Sequence, residues 1–301
     1  MTERPRTPLQ QRIATWIPYL WLATFFLAPF LIVAKISLSQ TAIAQPPYLP
    51  VFDSLGDIPQ KVREFSFENY LWLAQNALYA KALLSSLWIA GLSALITLLV
   101  GFPVAYAMAR APHGLRAVLV MLAILPFWTS FLIRVYAWIG ILKPEGLLNQ
   151  ALLGSGIVDQ PLAITNTNWA VIIGIVYSYL PFMVLPLYAS LEKLDGALLE
   201  AAADLGAPPI TAFWRITVPL AVPGIVAGLM LVFIPAVGEF VIPDLLGGSD
   251  TLIIGRTLWS EFFQNRDWPV ASAVAIVLLL LLVLPIVLFQ NAQARLREDA
   301  R

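Results

Sequence analysis

Residues 199–223 read LEAAADLGAPPITAFWRITVPLAVP, a polar, helix-forming stretch interrupted by Gly206 and held between two long apolar runs. Polar sequence squeezed between membrane segments is there to touch something outside the bilayer, so its local shape and its side of the membrane decide the fold. Asp195 is placed to cap the start of a short helix, along which Leu198, Leu199, Ala202 and Leu205 form an apolar strip. The small run at 201–203 lets another surface approach that strip closely. Gly206 supplies the permissive backbone that ends the helix, and Pro208 or Pro209 opens the next one. The second limb, residues 210–217, is amphipathic through Phe213, Trp214 and Ile216, and Pro219 and Pro223 mark the entry into the following apolar run. The expected shape is a helix–turn–helix bracket lying under the membrane, with one face free to enter a groove on a cytoplasmic partner. The alternative is an amphipathic helix resting on lipid. Basic residues are nearly absent from 196–214, however, and Glu200 and Asp204 would face an anionic surface.

The rest of the chain supplies that membrane. Of 301 residues, 59% are hydrophobic and 12% charged, against about 45–50% and 25% in soluble domains. So much apolar surface does not fit in one aqueous core, and a polytopic membrane protein is expected. The formal net charge of zero argues against nucleic acid as a partner. With no cysteine there is no disulfide, thiolate metal site or cysteine nucleophile. His113, the only histidine, falls in a short basic loop, which leaves little for histidine catalysis. No cleavable signal is evident, since residues 1–12 are polar and basic and the first apolar run lacks a small-residue cleavage pattern.

Six runs reach the roughly 20 apolar residues that a span needs: residues 16–38, 82–109, 117–142, 169–191, 218–246 and 269–290. Four have charge-free interiors; the third carries Arg134 and the fifth Glu239. Prolines inside the runs are tolerable in a membrane bundle, where neighbours satisfy the freed carbonyls. Arg4, Arg6 and Arg12, then Arg110 and Arg116, Lys193 and Arg215, and finally Arg295, Arg297 and Arg301 alternate with longer, less basic loops. The positive-inside rule therefore puts both termini and the polar stretch in the cytoplasm. The expected divisions are a cytoplasmic tail at 1–15, a transmembrane body at 16–291 with an external loop at 39–81 and the cytoplasmic loop at 192–217, and a tail at 292–301. Two further external loops, 143–168 and 247–268, follow. In the second, Ile254, Leu258, Trp259, Phe262 and Phe263 share one helical face, which predicts a short helix packed on the bundle.

The pattern Glu200-Ala201-Ala202, then Gly206, Ile216, Pro219 and Pro223, resembles the EAA loop of ABC importer permeases. The segments LPFWTSFLIRVYAWIGILK (125–143), GIVYSYLPFMVLPLYASL (174–191), VFIPAVGEFVIPDLLGG (232–248) and IIGRTLWSEFFQNRDWPVASAVAIV (253–277) are similar to the polyamine branch of that family, with putrescine importers favoured. The resemblance implies a type I permease fold of six transmembrane helices, in which residues including Glu200, Ala201, Ala202, Asp204, Leu205 and Gly206 form a coupling helix. It also implies a bacterial inner-membrane location, membrane lipid around the spans, a second homologous permease, an ATPase dimer and a periplasmic polyamine-binding protein. No lysine follows the glycine pattern of a phosphate loop, so ATP and magnesium are expected on the partner ATPase, with no cofactor on this chain.

Ionisable groups at membrane depth are expensive and should face protein or water. Glu239, Asp244 and Arg134 are the candidates, with Trp128, Tyr136 and Tyr177 as ring partners for a passing cation, and Trp138 and Tyr179 beside them. For Glu239 two readings stand: it lines a cation path, or it pairs with Arg134 and locks the third span to the fifth. The expected function is a non-catalytic polyamine permease subunit forming half of an alternating-access pathway. The alternatives are a permease for another small cation, or an ion-coupled secondary transporter.

Overall fold

Almost every apolar run is helical in the computed structural model, which describes residues 8–52 and 55–299. The chain begins with α1 (Pro8–Leu22) and α2 (Ala28–Ser37), joined through a π turn at Ala23–Leu27. A small antiparallel hairpin follows, β1 (Gln40–Thr41) and β2 (Tyr48–Leu49), with Gln40 opposite Leu49. Then come α3 (Ile58–Lys61), α4 (Glu68–Gln75) and the 34-residue α5 (Ala77–Arg110). At 1.5 Å per residue α5 is about 50 Å long, well beyond the hydrocarbon thickness. Next are α6 (His113–Ile124), α7 (Phe131–Leu142), α8 (Leu147–Gly154) and α9 (Asn168–Leu191). The polar stretch holds α10 (Ala197–Asp204) and α11 (Pro209–Ala212). The chain closes with α12 (Val218–Val237), α13 (Val241–Leu246), α14 (Ile254–Trp259) and α15 (Trp268–Asp299).

Among the described residues four helices are long and apolar enough to cross a membrane: Thr15–Ser37, Ala77–Arg110, Asn168–Leu191 and Pro209–Val237. The third expected span is not one helix. His113–Trp128 and Phe131–Gly154 meet at 87°, and counting that pair once makes five. Pro126 has no N–H to continue the α-helical ladder, so the chain tightens into a 3-10 turn at Leu125–Trp128 and then extends at Thr129 and Ser130. His113 opens α6 rather than sitting in a loop. In the last run the described apolar helix is Trp268–Val283. The fifth run is also divided, because α12 stops at Val237 and α13 starts afresh at Val241.

By their contacts the residues fall into two units. One takes the chain up to Ala80 and from Leu258 onward. In it α2 packs along α15, and the segment between α2 and α5 is tied back onto the end of α2. Asn69 Nδ2 donates to the carbonyls of Ser37 and Ser39, and Thr41 Oγ1 donates to Asp267 Oδ1 at 2.7 Å. The face predicted around 254–263 forms α14 and a π turn at Ser260–Gln264, with Phe262 stacked on Trp268 at 4.9 Å.

The other unit is Lys81–Thr257. Its core, at the α9–α12 contact, contains Met183, Leu187, Ala221 and Val232, with Ala94, Ala105 and Met108 of α5 against them. Gly224 lets the two backbones meet: a Cβ there would stand 2.6 Å from the Ser190 Cβ and 2.7 Å from the Pro186 carbonyl oxygen. Small residues at such crossings are how membrane helices gain dispersion contacts where lipid leaves no hydrophobic driving force between them.

Candidate functional site

The polar stretch folds as a bracket. Asp195 Oδ1 accepts from the Ala197 N–H at 3.0 Å, one of the donors that a helix start leaves unpaired. At the other end of α10 the Ala207 N–H reaches the Ala202 carbonyl and the Gly206 N–H the Ala203 carbonyl, both at 2.9 Å. This is a Schellman cap with its left-handed residue at Gly206, φ +76°. The apolar strip is covered at one edge and open at the other. Ala202 is buried and Leu199 half-buried, but Leu198 is exposed and Leu205 is 88% exposed, because the cap turns the chain away just beyond it. Glu200, Ala201 and Asp204 are exposed as well.

The second limb differs from the expectation. α11 runs through a π turn at Phe213–Thr217 straight into α12, so Pro209–Val237 is one helix and Pro219 and Pro223 lie inside it. The π turn, closed by the Val218 N–H on the Phe213 carbonyl, stands directly before Pro219. Phe213 anchors the bracket to the end of α5, edge-on to Phe102 at 5.6 Å and Tyr106 at 6.1 Å. Arg116 pairs with Glu192 at 3.7 Å, which joins the first turn of α6 to the end of α9, just ahead of the bracket.

Glu239 occupies the break between α12 and α13. Its Oε1 accepts from the backbone N–H groups of Val241 (3.0 Å) and Ile242 (3.5 Å), and its Oε2 accepts from the Tyr179 hydroxyl at 2.5 Å. It therefore caps α13 and ties it to α9 while remaining half-buried. A run of ring contacts leads away from it: Tyr179 to Phe182 at 5.9 Å, Phe182 to Phe127 at 5.1 Å, and Phe127 beneath the Arg134 guanidinium at 5.6 Å.

Arg134 does not reach Glu239. It is 9% exposed, its Nε and Nη1 are buried without a hydrogen-bond partner, and no ion pair to it forms among the described residues. The ion-pair reading is thereby corrected. The guanidinium lies instead against the Phe127 and Phe131 rings. Asp244 is paired too, with Arg256 Nε at 3.2 Å. Trp128 and Tyr136 are exposed and join no ring pair with the Glu239 cluster among the described residues. Tyr177 stacks edge-on with Trp138 at 5.3 Å. Two residues along a helix place it across from Tyr179.

Sequence reading passed over Lys35, whose Nζ donates to the Pro50 carbonyl at 2.6 Å and sits 4.5 Å from the centres of both the Tyr48 and Phe52 rings. A lone lysine in the last turn of an apolar run was the available signal. The pairing of Tyr179 with Glu239, sixty residues apart in sequence, had none. Among the described residues no group of three or more His, Cys, Asp or Glu side chains is arranged to hold a metal.

Residues 92–297 match the family model described as binding-protein-dependent transport system inner membrane component. The chain is 42% identical over 288 residues to the spermidine/putrescine transport system permease protein PotB of Haemophilus influenzae, covering 96% of each protein. It is 45% identical over 234 residues to the protein of the same name from Escherichia coli K12, covering 78% of this chain and 85% of that one. Among solved structures it is similar to a bacterial ABC transporter involved in the import of the acidic polysaccharide alginate, with a TM-score of 0.68, 20% identity and 95% of both chains covered.

Proposed function

The chain belongs to the family of binding-protein-dependent transport system inner membrane components, and from that premise we propose that it is the permease subunit of an ATP-driven importer of polyamines, putrescine above all. Members of the family are transport components rather than enzymes, and the fold is the all-α fold of ABC importer permeases with several membrane spans. In the proposed assembly a second, homologous permease supplies the other half of an alternating-access pathway. An ATPase dimer holding ATP and magnesium docks against α10 in the cytoplasm, where both termini also lie. A periplasmic binding protein delivers the polyamine to the external loops.

The observation that carries the substrate class is the identity to the two PotB proteins along most of the chain. The geometry supports it at one point. Glu239 puts a half-buried carboxylate at a helix break against Tyr179, whose ring in turn meets Phe182, a setting that suits a desolvated ammonium group. For the coupling role, α10 exposes Glu200, Ala201, Asp204 and Leu205 around a rigid left-handed cap.

The test is reconstitution of the permease pair with its ATPase and binding protein in proteoliposomes, measuring uptake of labelled putrescine with unlabelled spermidine as competitor. Saturable, ATP-dependent uptake in which putrescine is the better substrate is expected. Uptake driven by an ion gradient without ATP, or transport of another small cation but neither polyamine, overturns the proposal.

A further inference from the structure

We infer that residues 248–256 form a strap on the external loop that positions Glu239, with Gly255 as its point of contact and Arg256 as its buckle; the inference rests on the reading of Glu239 as a pathway residue. The strap is fixed at its own ends. The Ile254 N–H donates to Ser86 Oγ of α5 at 2.8 Å. The Gly248 N–H donates to Thr251 Oγ1 at 3.2 Å, and that hydroxyl donates to Asn168 Oδ1 at the start of α9 at 2.9 Å.

From this base the strap grips the short element that Glu239 caps on two sides. At the N-terminal side Gly255 lies directly on the break. A Cβ at this position would stand 2.6 Å from the Glu239 carbonyl oxygen and would also press on that of Gly238. Neither contact is with a flexible side-chain end, so any side chain at 255 must push the Gly238–Glu239 backbone or lift α14. On the other side Arg256 Nε pairs with Asp244 Oδ1 of α13 at 3.2 Å, while its Nη1 donates to the Gly248 carbonyl at 3.2 Å. The Glu239 carboxylate is held to Tyr179 on α9 by one hydrogen bond, so its position depends on where α13 and the break are set relative to α9. Gly255 and Arg256 set both. They are positioning residues: neither needs to touch a passing cation, and both act on it through Glu239. The external loop thus has a direct backbone route to the acid, without passing through the core of the bundle.

The experiment uses the complete reconstituted transporter. Gly255→Ala and Arg256→Gln are each placed in the wild-type and Glu239→Gln backgrounds, and the readouts are polyamine transported per ATP hydrolysed and stimulated ATPase activity. The expected result is a fall of about three- to tenfold in polyamine per ATP in the wild-type background and of less than about twofold beside Glu239→Gln, with ATPase activity retained. An equal fall in both backgrounds, or a parallel loss of ATPase activity, overturns the strap, because a merely structural element damages the transporter whatever stands at 239. If Glu239→Gln alone leaves polyamine per ATP unchanged, the pathway reading fails instead, and the two failures are told apart. Should Gly255→Ala not assemble, Arg256→Gln decides by the same comparison, since its half-exposed ion pair can be removed without opening the core.

Discussion

Replacing Gly206 probes the bracket through its backbone alone. Gly206 is at φ +76° and closes the cap of α10, yet a Cβ built on it meets nothing within 4 Å. Gly206→Ala therefore creates no clash within this chain, and its cost is conformational, about 1–2 kcal/mol for forcing an L-residue into the left-handed region. That is a factor of roughly 5–30 in the population of the capped conformer. Gly206→Asn enters the same region more readily and should lose much less, whereas a β-branched Gly206→Val should lose most. If the capped form is what engages the ATPase, its affinity for the permease pair and the stimulated ATPase rate should follow the order Gly, Asn, Ala, Val. Titrating the ATPase subunit onto the detergent-solubilised permease pair, with uptake measured in parallel, reads this directly. Asparagine as damaging as alanine would refute the backbone argument and point to a steric contact with the partner. Full activity in the valine variant would refute a coupling role for the bend.

Two further changes test the packing of the second unit. Gly224→Ala should destabilise the α9–α12 contact by about 1–3 kcal/mol, because the added methyl meets the backbone of α9; an unchanged thermal midpoint of the purified subunit in detergent contradicts that reading. Arg134→Met removes a buried cation whose Nε and Nη1 are unpaired but keeps most of the volume against Phe127 and Phe131, so the same measurement should show unchanged or increased stability, by up to about 3 kcal/mol. A loss of stability would mean that Arg134 finds a counter-charge once the subunit is in its assembly.

How far the sequence reaches depends on the range of each signal. The apolar runs are helical where they are read, although the third is bent and the fifth divided; the cap at Asp195 and the glycine break at 206 are written within a few neighbouring residues, and the structure has them in place. The same holds for the short helix beginning at Ile254. Local rules fare worse where proline and packing compete. The third run looks continuous in composition but breaks after Pro126, while Pro219 and Pro223, read as the entry to a new helix, lie inside one helix that begins at Pro209, with a π turn just before the first of them.

By itself, then, the sequence determined the all-α membrane architecture, the glycine break of the bracket, and the presence of charged residues, Arg134 and Glu239 among them, inside apolar runs. Only the tertiary structure decided what those residues do with one another. Which side chain meets Glu239 depends on the rotation and crossing of α7, α9 and α12, and hydrophobic periodicity says little about rotation in helices that are apolar on every side. Hence Glu239 pairs with Tyr179 and the turn of α13, Arg134 lies against rings, and Gly255 closes on the break from a helix whose partner the pattern did not name.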